Sequence, residues 1–401
     1  MDGTIAVVGA GQAGGVCALA LRKFGFRGEI VVFGAEAEAP YERPPLSKEF
    51  LGGKSQQLTY VAKTDRWVTD DIELSVGTDV IAIDRSAKTL QISGRRDRQA
   101  YDRLILATGG VARKLPGGFG ERICYLRDAA DSRRIAEFSR SGGDALVIGA
   151  GAIGLEVAAT LRQAGLGVTV IEAAEHVMAR VLPKEAAAWL EWLHAENGVE
   201  IVTSSSVQII TSRADGVDVL LSGGRSISAQ FCVVGIGIAA DDALALSCGL
   251  DCEDGILVDE RYRTVKDTSI FAIGDVARRI GHLRDESWTH AQNSAEIAAR
   301  AILDVPDDSP LPTPYFWSVQ FDRMLQVAGD VTGGHRRIQI AEYGFLYADE
   351  DDKAVGIVML DGKRDFQRAR KMVAARAPVA STEEAWTPTR QAAPAGKDQR
   401  S

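Results

Sequence analysis

Short apolar runs that end in glycine recur along the chain. Thr4–Val8 leads into Gly9, Tyr101–Ala107 into Thr108-Gly109, Ala145–Ile148 into Gly149, Phe231–Val234 into Gly235, and Ser269–Ile273 into Gly274. Runs of that length, bounded by glycine, predict strands buried on both faces, as in a parallel sheet. Behind the first run an Ala/Leu-rich stretch continues to about Phe24, and Ile30–Phe33 supplies the next strand, which completes a βαβ unit. The segment from Ala145 to Glu172 repeats that unit. Further strands are expected near 72–76, 79–83, 88–92, 199–203, 206–211 and 216–221, with helices over 184–196 and Gln292–Leu303. From about 311 the character changes to aromatic, antiparallel-looking strands at Tyr315–Val319, Leu325–Ala328, Ile338–Tyr343 and Lys353–Leu360. Past Pro378, Ala, Pro, Thr and charge dominate, and a flexible tail is expected there.

At 401 residues the chain is expected to hold two or three domains, and its 46% hydrophobic and 25% charged content is that of an ordinary soluble enzyme. A net charge of -9 argues against nucleic acid or an anionic membrane as the main partner. The five cysteines (Cys17, Cys124, Cys232, Cys248 and Cys252) form no CxxC pair, and the five histidines form no HExxH pattern, so no metal site is expected. Reduced thiols, no leader before the first strand and no membrane-length apolar stretch point to a cytoplasmic location.

The two glycine turns carry the chemistry. The first reads Gly9-Ala10-Gly11-Gln12-Ala13-Gly14 with Glu36 beyond it, and the second Gly149-Ala150-Gly151-Ala152-Ile153-Gly154 with Glu172 beyond it. In a dinucleotide fingerprint the first glycine makes the tight turn and the second admits the pyrophosphate. The third lets helix and strand pack closely, and the acid takes a ribose hydroxyl. Either turn alone is weak evidence, because glycines also close ordinary loops. Two such units in order point to two dinucleotides. Glu172 would repel a 2′-phosphate, which favours NADH over NADPH; Arg180, eight residues further on, tempers that preference.

Between the units lies Pro40-Tyr41-Glu42-Arg43-Pro44-Pro45-Leu46-Ser47-Lys48, too proline-rich to pair in a ladder and expected to lie over something. Lys48 and Glu156 are candidates for one ion pair bridging the two units beside the redox centre, where a fixed cation would stabilise developing negative charge. Read singly, each is as well explained as a loop charge and a helix-dipole carboxylate. Asp275, after a buried strand, is a candidate for a ribityl hydroxyl, or else a simple turn residue. Trp288 and Trp317 have no role that spacing assigns.

Taken in order, Tyr41–Lys48, Ala107-Thr108-Gly109, Gly154-Leu155-Glu156-Val157-Ala158, Gly235-Ile236-Gly237, Ala272-Ile273-Gly274-Asp275 and Tyr315-Phe316-Trp317-Ser318 resemble the FAD-dependent, NADH-using ferredoxin reductases of Rieske-type aromatic-ring dioxygenase systems. Putidaredoxin reductase, which serves a haem monooxygenase, is a near relative of that group. The resemblance runs over about residues 4–375 and implies an α/β, glutathione-reductase-type fold. It implies two Rossmann-like nucleotide-binding domains and a C-terminal α+β domain. The FAD domain would be discontinuous (1–110 and 236–310), with an NAD domain at 111–235, a C-terminal domain at 311–378 and a tail at 379–401.

On matching positions the resemblance places Gly9, Gly11, Gly14, Glu36, Arg43, Lys48, Val80, Thr108, Arg127, Asp275 and Trp288 around a non-covalent FAD. It places Gly149, Gly151, Ile153, Gly154, Glu172 and Gly237 around NADH. Trp317 would lie beside the flavin toward the partner, and Lys48, Glu156 and Trp317 would be the catalytic set. The implied reaction is hydride transfer from NADH to FAD, then single electrons to a [2Fe–2S] ferredoxin that supplies a terminal oxygenase.

The sequence departs from the pattern at Ile236–Asp241, which lacks the usual Pro-Asn, and in the loop after Asp275. A disulfide reductase or NADH oxidase of the same fold would need a cysteine near the flavin, and residues 35–60 contain none. The other rival, a redox-sensing flavoprotein like the apoptosis-inducing factors, would show a stable complex after NADH addition and slow reoxidation by ferredoxin.

Overall fold

The computed structural model describes residues 3–306 and 310–379. The tail expected beyond 378 lies, from residue 380 on, outside the described residues. Two five-stranded parallel sheets carry the repeated units. In the first, Ile270–Ala272, Arg103–Leu106, Thr4–Val8, Glu29–Gly34 and Ile72–Val76 stand in that order. In the second the order is Val199–Val202, Gly167–Ile171, Asp144–Ile148, Phe231–Val234 and Ile123–Tyr125. Their apolar runs are buried on both faces, Ile5, Ala6 and Val7 at 1% exposure or less, as the lack of alternation requires.

In each sheet the chain leaves the first strand of its unit in one direction and returns on the other side. Crevices therefore open between the carboxyl ends of Thr4–Val8 and Arg103–Leu106, and of Asp144–Ile148 and Phe231–Val234. Such switch points are where open α/β sheets bind ligands. The first sheet draws its last strand from beyond the second. The two chain crossings pair with each other, Gly110–Ala112 against Ile238–Ala240.

The C-terminal sheet is antiparallel, in the order Tyr315–Gln320, Arg323–Gly329, Ala354–Leu360, Gly344–Ala348 and Arg336–Ala341. Its side chains alternate between two cores. Leu325, Val327, Phe345, Val358 and Leu360 pack with the second parallel sheet and its helices. Ala328, Leu346, Ile357 and Met359 pack under the helix Lys363–Ala374 through Phe366, Ala369 and Val373. This sheet is therefore joined to the second parallel-sheet unit by one continuous core.

Several elements differ from the sequence expectation. The run Ile338–Tyr343 is not one strand: Arg336–Ala341 ends, the chain turns at Glu342-Tyr343, and Gly344–Ala348 returns. The helix expected from Gln292 begins at Trp288, where Ser287 Oγ accepts the His290 N–H at 3.1 Å. Of the helices that had not been expected, which include the short Thr64–Thr69 and Ala243–Ser247, the two longest are Lys363–Ala374 and Ala129–Arg140. The second starts in a capping box built by Asp128 and Asp131, whose spacing is visible in the sequence.

The proline-rich loop contains one 3-10 turn, Pro44–Ser47, and lies across both halves of the molecule. Ser132 Oγ donates to Leu46 O at 2.7 Å and Thr160 Oγ1 to Ser47 O at 2.8 Å. The helices Ala129–Arg140 and Ala152–Gln163 thus supply the donors that a ladder cannot give so many prolines.

Candidate active site

A cavity of 1480 Å³ lies at the carboxyl ends of both parallel sheets, and the C-terminal strand Tyr315–Gln320 supplies part of its wall. Both glycine turns open into it. Gly9 (φ 113°) and Gly149 (φ 101°) hold left-handed backbone at the strand ends. Gly11 and Gly151 begin the helices Gln12–Lys23 and Ala152–Gln163 with no side-chain cap. A Cβ at either would meet nothing within 4 Å. Uncapped first-turn N–H groups facing open space form a ready site for phosphate. Gly14 and Gly154 do not line the cavity. A Cβ on them would stand 1.9 Å from Gly9 O and 2.0 Å from Gly149 O, so they are helix-to-turn packing positions.

The acids are held in place. Glu172 accepts the Ala150 N–H at 2.6 Å and the Ala174 N–H at 2.8 Å, which sets it on the second glycine turn. Glu36 accepts Tyr41 Oη–H at 2.5 Å and Arg43 Nη2 at 2.7 Å. Arg43 also donates to Arg127 O, and Arg127 Nη2 stands 3.0 Å from Asp275 Oδ2, so a charged string runs along the cavity wall. Thr108 donates to Asp241 O at 2.6 Å, and Val80 and Gly237 complete the lining on their own sides. Arg180 is exposed at the cavity edge with Nη1 3.4 Å from the Cβ position of Gly237.

Glu156 is an enclosed charge of the cavity wall, its side chain 3% exposed, equal to that of Arg284. Lys48 Nζ lies 2.7 Å from its Oε2, Ser47 Oγ donates to the same oxygen at 2.5 Å, and Ser318 Oγ donates to Oε1 at 2.8 Å. A carboxylate taken so far from water needs its lone pairs filled, and three side chains from two distant parts of the chain, the Ser47-Lys48 pair and Ser318, fill them. Ser47 and Ser318 were not expected from the sequence. Their only signals were a hydroxyl beside Lys48 and another beside Trp317.

The remaining wall is aromatic. Trp288 meets Trp317 edge-on at 5.4 Å between ring centres, and Trp317 stacks on Tyr315 at 5.8 Å. Trp288 Nε1 and Gln12 Oε1, on cavity-lining residues, are buried with no hydrogen-bond partner among the described residues. In a cavity wall, such unpartnered polar atoms can be satisfied by a bound group. No cysteine lines the cavity. Burial pushes the Cys17 thiol up to about 12, and Cys252, its thiol raised to about 11, sits away from the lining. Among the described residues no His/Cys/Asp/Glu group is arranged to hold a metal ion, and no helix is long and apolar enough to cross a membrane.

Two glycine turns of dinucleotide type open on one cavity, with an ion pair and an aromatic wall beside them, an arrangement suited to an oxidoreductase that uses two nucleotides. Residues 3–297 match the pyridine nucleotide-disulphide oxidoreductase family and residues 315–390 a reductase C-terminal family. The chain belongs to the pyridine nucleotide-disulphide oxidoreductase family. Putidaredoxin reductase, solved in covalent complex with putidaredoxin, is 32% identical with a TM-score of 0.87, over 94% of each chain. The ferredoxin reductase for the CYP199A2 system of Rhodopseudomonas palustris is 31% identical with a TM-score of 0.88, over 94% of this chain and 95% of that one. A NAD-dependent persulfide reductase from A. fulgidus is 25% identical with a TM-score of 0.86, over 96% of this chain and 80% of that one.

The protein is therefore an FAD-dependent oxidoreductase of glutathione-reductase type that binds FAD and NAD(H). The residues present fit these groups. The open space at Gly11 and Gly151, the uncapped helix starts and the orphaned Gln12 and Trp288 atoms are what two dinucleotides would fill.

Proposed function

We propose that the protein is an NADH:ferredoxin oxidoreductase, passing electrons to a [2Fe–2S] ferredoxin that feeds an oxygenase in the cytoplasm. The observation that carries this reading is a cavity joining both glycine turns whose walls hold an ion pair and two tryptophans in edge-on contact but no thiol. A disulfide-reducing relative needs a cysteine there to take the electron pair. Bound FAD supplies the chemistry of accepting a hydride and releasing electrons singly. In this reading residues 1–110 with 236–310 hold FAD, 111–235 hold NADH, and 311–378 form the partner-side domain.

The first glycine turn, Glu36, Arg43, Lys48, Val80, Thr108, Arg127, Asp275 and Trp288 hold FAD. The first-turn N–H groups behind Gly11 would take its phosphates and Asp275 would take a ribityl hydroxyl. The second turn, Ile153, Glu172 and Gly237 receive NADH. The Glu172 carboxylate would accept the ribose 2′-hydroxyl and would repel a phosphate there. Glu156 keeps the Lys48 ammonium at the wall between the two sites, where it stabilises negative charge that develops during transfer. Trp317 and Trp288, in edge-on contact, exclude water from this wall, and Trp317 would lie between the flavin and the partner.

The test is NADH oxidation by the FAD-loaded protein with a [2Fe–2S] ferredoxin, compared with glutathione disulfide and a persulfide as acceptors. Reduction of the ferredoxin alone supports the reading. Faster turnover with either sulfur acceptor rejects it.

A further inference from the structure

The Glu156 carboxylate is the end of a longer buried chain. Ser318 Oγ donates to Glu156 Oε1 at 2.8 Å, Gln320 Nε2 donates to Ser318 Oγ at 3.1 Å, and His194 Nε2 lies 2.9 Å from Gln320 Oε1. Chemistry fixes the directions. A carboxylate only accepts, so the single Ser318 proton points at Glu156 and its oxygen receives from the Gln320 amide nitrogen. The amide oxygen only accepts, so His194 carries its proton on Nε2. Every bond in the chain donates toward Glu156.

The three residues are buried, at 1% exposure or less, and they lie where apolar packing would otherwise be simplest. Gln320 and Ser318 belong to the strand Tyr315–Gln320, next to Leu325 and Val327 of the core shared with the helix Lys184–Glu196, which carries His194. Phe321 closes over the His194 ring edge-on at 5.1 Å, and His194 Nδ1 has no partner among the described residues. Burial pushes the His194 pKa down to about 4, so the ring is neutral and has one donor to offer. Three polar side chains in a core are costly unless each one fixes the next.

We propose that Ser318, Gln320 and His194 are positioning residues, a one-way hydrogen-bond relay that fixes the Glu156 carboxylate and, through it, the Lys48 ammonium. This rests on the role given above to the Lys48–Glu156 pair. The relay ties that pair to the helix Lys184–Glu196 and to the C-terminal sheet, so the cavity keeps its charge geometry while nucleotides come and go.

The test uses the FAD-loaded full chain with Ser318→Ala, Ser318→Thr and Gln320→Met, reduced anaerobically by NADH in stopped flow. Ser318→Ala and Gln320→Met are expected to lower the limiting reduction rate roughly tenfold, the effect of losing one charge-assisted hydrogen bond. Half-saturation by NADH should stay within about twofold, and Ser318→Thr, which keeps the hydroxyl, should recover most of the rate. Independently of turnover, ¹⁵N NMR of the imidazoles should show one neutral ring protonated on Nε2. That signal should disappear in His194→Gln and shift in Gln320→Met. An Nδ1–H tautomer, or a loss that Ser318→Thr does not recover, overturns the relay. Unchanged rates in both Ser318→Ala and Gln320→Met overturn the relay alone when Lys48→Ala is slow. If Lys48→Ala is also unchanged, the pair's own role falls and the relay with it.

Discussion

Lys48 Nζ stands 2.7 Å from Glu156 Oε2, and this bond joins the proline-rich loop of one nucleotide unit to the fingerprint helix of the other. Both side chains are largely removed from solvent, at 14% and 3% exposure. Removing one partner of such a pair leaves the other charge uncompensated. Lys48→Ala and Glu156→Gln should each slow reduction of bound FAD by NADH by roughly 100- to 1,000-fold, the range for one electrostatic group in a water-poor site. The FAD content should not change. Stopped-flow absorbance checks both, and an unaltered reduction rate in the two variants would remove the pair from the reaction.

Gly11 and Gly14 are three residues apart and should fail differently. A Cβ at Gly11 meets nothing within 4 Å, whereas one at Gly14 stands 1.9 Å from Gly9 O. Gly11→Ala should fold normally and lose FAD affinity, because the methyl fills the phosphate approach. Gly14→Ala should cost about 3 kcal/mol or more of stability from overpacking against rigid backbone. Thermal unfolding of the apoprotein together with an FAD titration separates the two, and equal behaviour of the variants would contradict these assignments.

Glu172 ends the second strand of its unit and holds the Ala150 and Ala174 N–H groups. Glu172→Ala should raise KM for NADH and narrow the NADH-over-NADPH ratio of kcat/KM by roughly tenfold, the value of one charged hydrogen bond plus the lost repulsion. Arg180 stands beside Gly237 rather than close to Glu172 among the described contacts. Arg180→Ala should therefore leave that ratio within about twofold. A ratio that moves with Arg180 and not with Glu172 would reverse the assignment.

His194 makes stability depend on acidity. In the unfolded chain its pKa is 6.5 and in the fold about 4, because burial disfavours the charged ring. Below pH 6.5 the unfolded state takes up a proton that the native state refuses, so the unfolded state binds more protons and stability falls with pH. The contribution is complete above 6.5 and gone below about 4, a loss of about 3 kcal/mol across the window. Urea unfolding at several pH values should show a shallower slope in His194→Gln than in the natural protein. Parallel slopes would show that His194 titrates normally in the fold.

What the sequence made legible follows from the range of each interaction. The two βαβ units were readable because strand, glycine turn, helix and acid are local, and Gly14 and Gly154 proved to be the packing glycines that the motif requires. The aromatic strands of the C-terminal part were readable as strands. Their turn at Glu342-Tyr343 was not, since its one turn signal is Gly344 directly after it. The helix Lys363–Ala374 was missed because its apolar stripe is only Phe366, Ala369 and Val373 among many charges. In the site, Lys48 and Glu156 were named from their motifs. Ser47, Ser318, Gln320 and His194 were not, because their partners lie 109, 162 and 126 positions away and ordinary hydroxyls, amides and imidazoles carry no local pattern.

The central claim is a directed electron path from NADH through FAD to a one-electron protein acceptor, and double-mixing stopped flow tests it most directly. The FAD-loaded protein is first reduced by one equivalent of NADH and then mixed, without oxygen, with an oxidised [2Fe–2S] ferredoxin. The account predicts fast flavin bleaching followed by reduction of two ferredoxins for each NADH consumed. It also predicts that Trp317→Ala slows only the second phase. Rapid bleaching followed by a long-lived reduced complex that no ferredoxin reoxidises would contradict it and mark the protein as a sensor rather than a reductase.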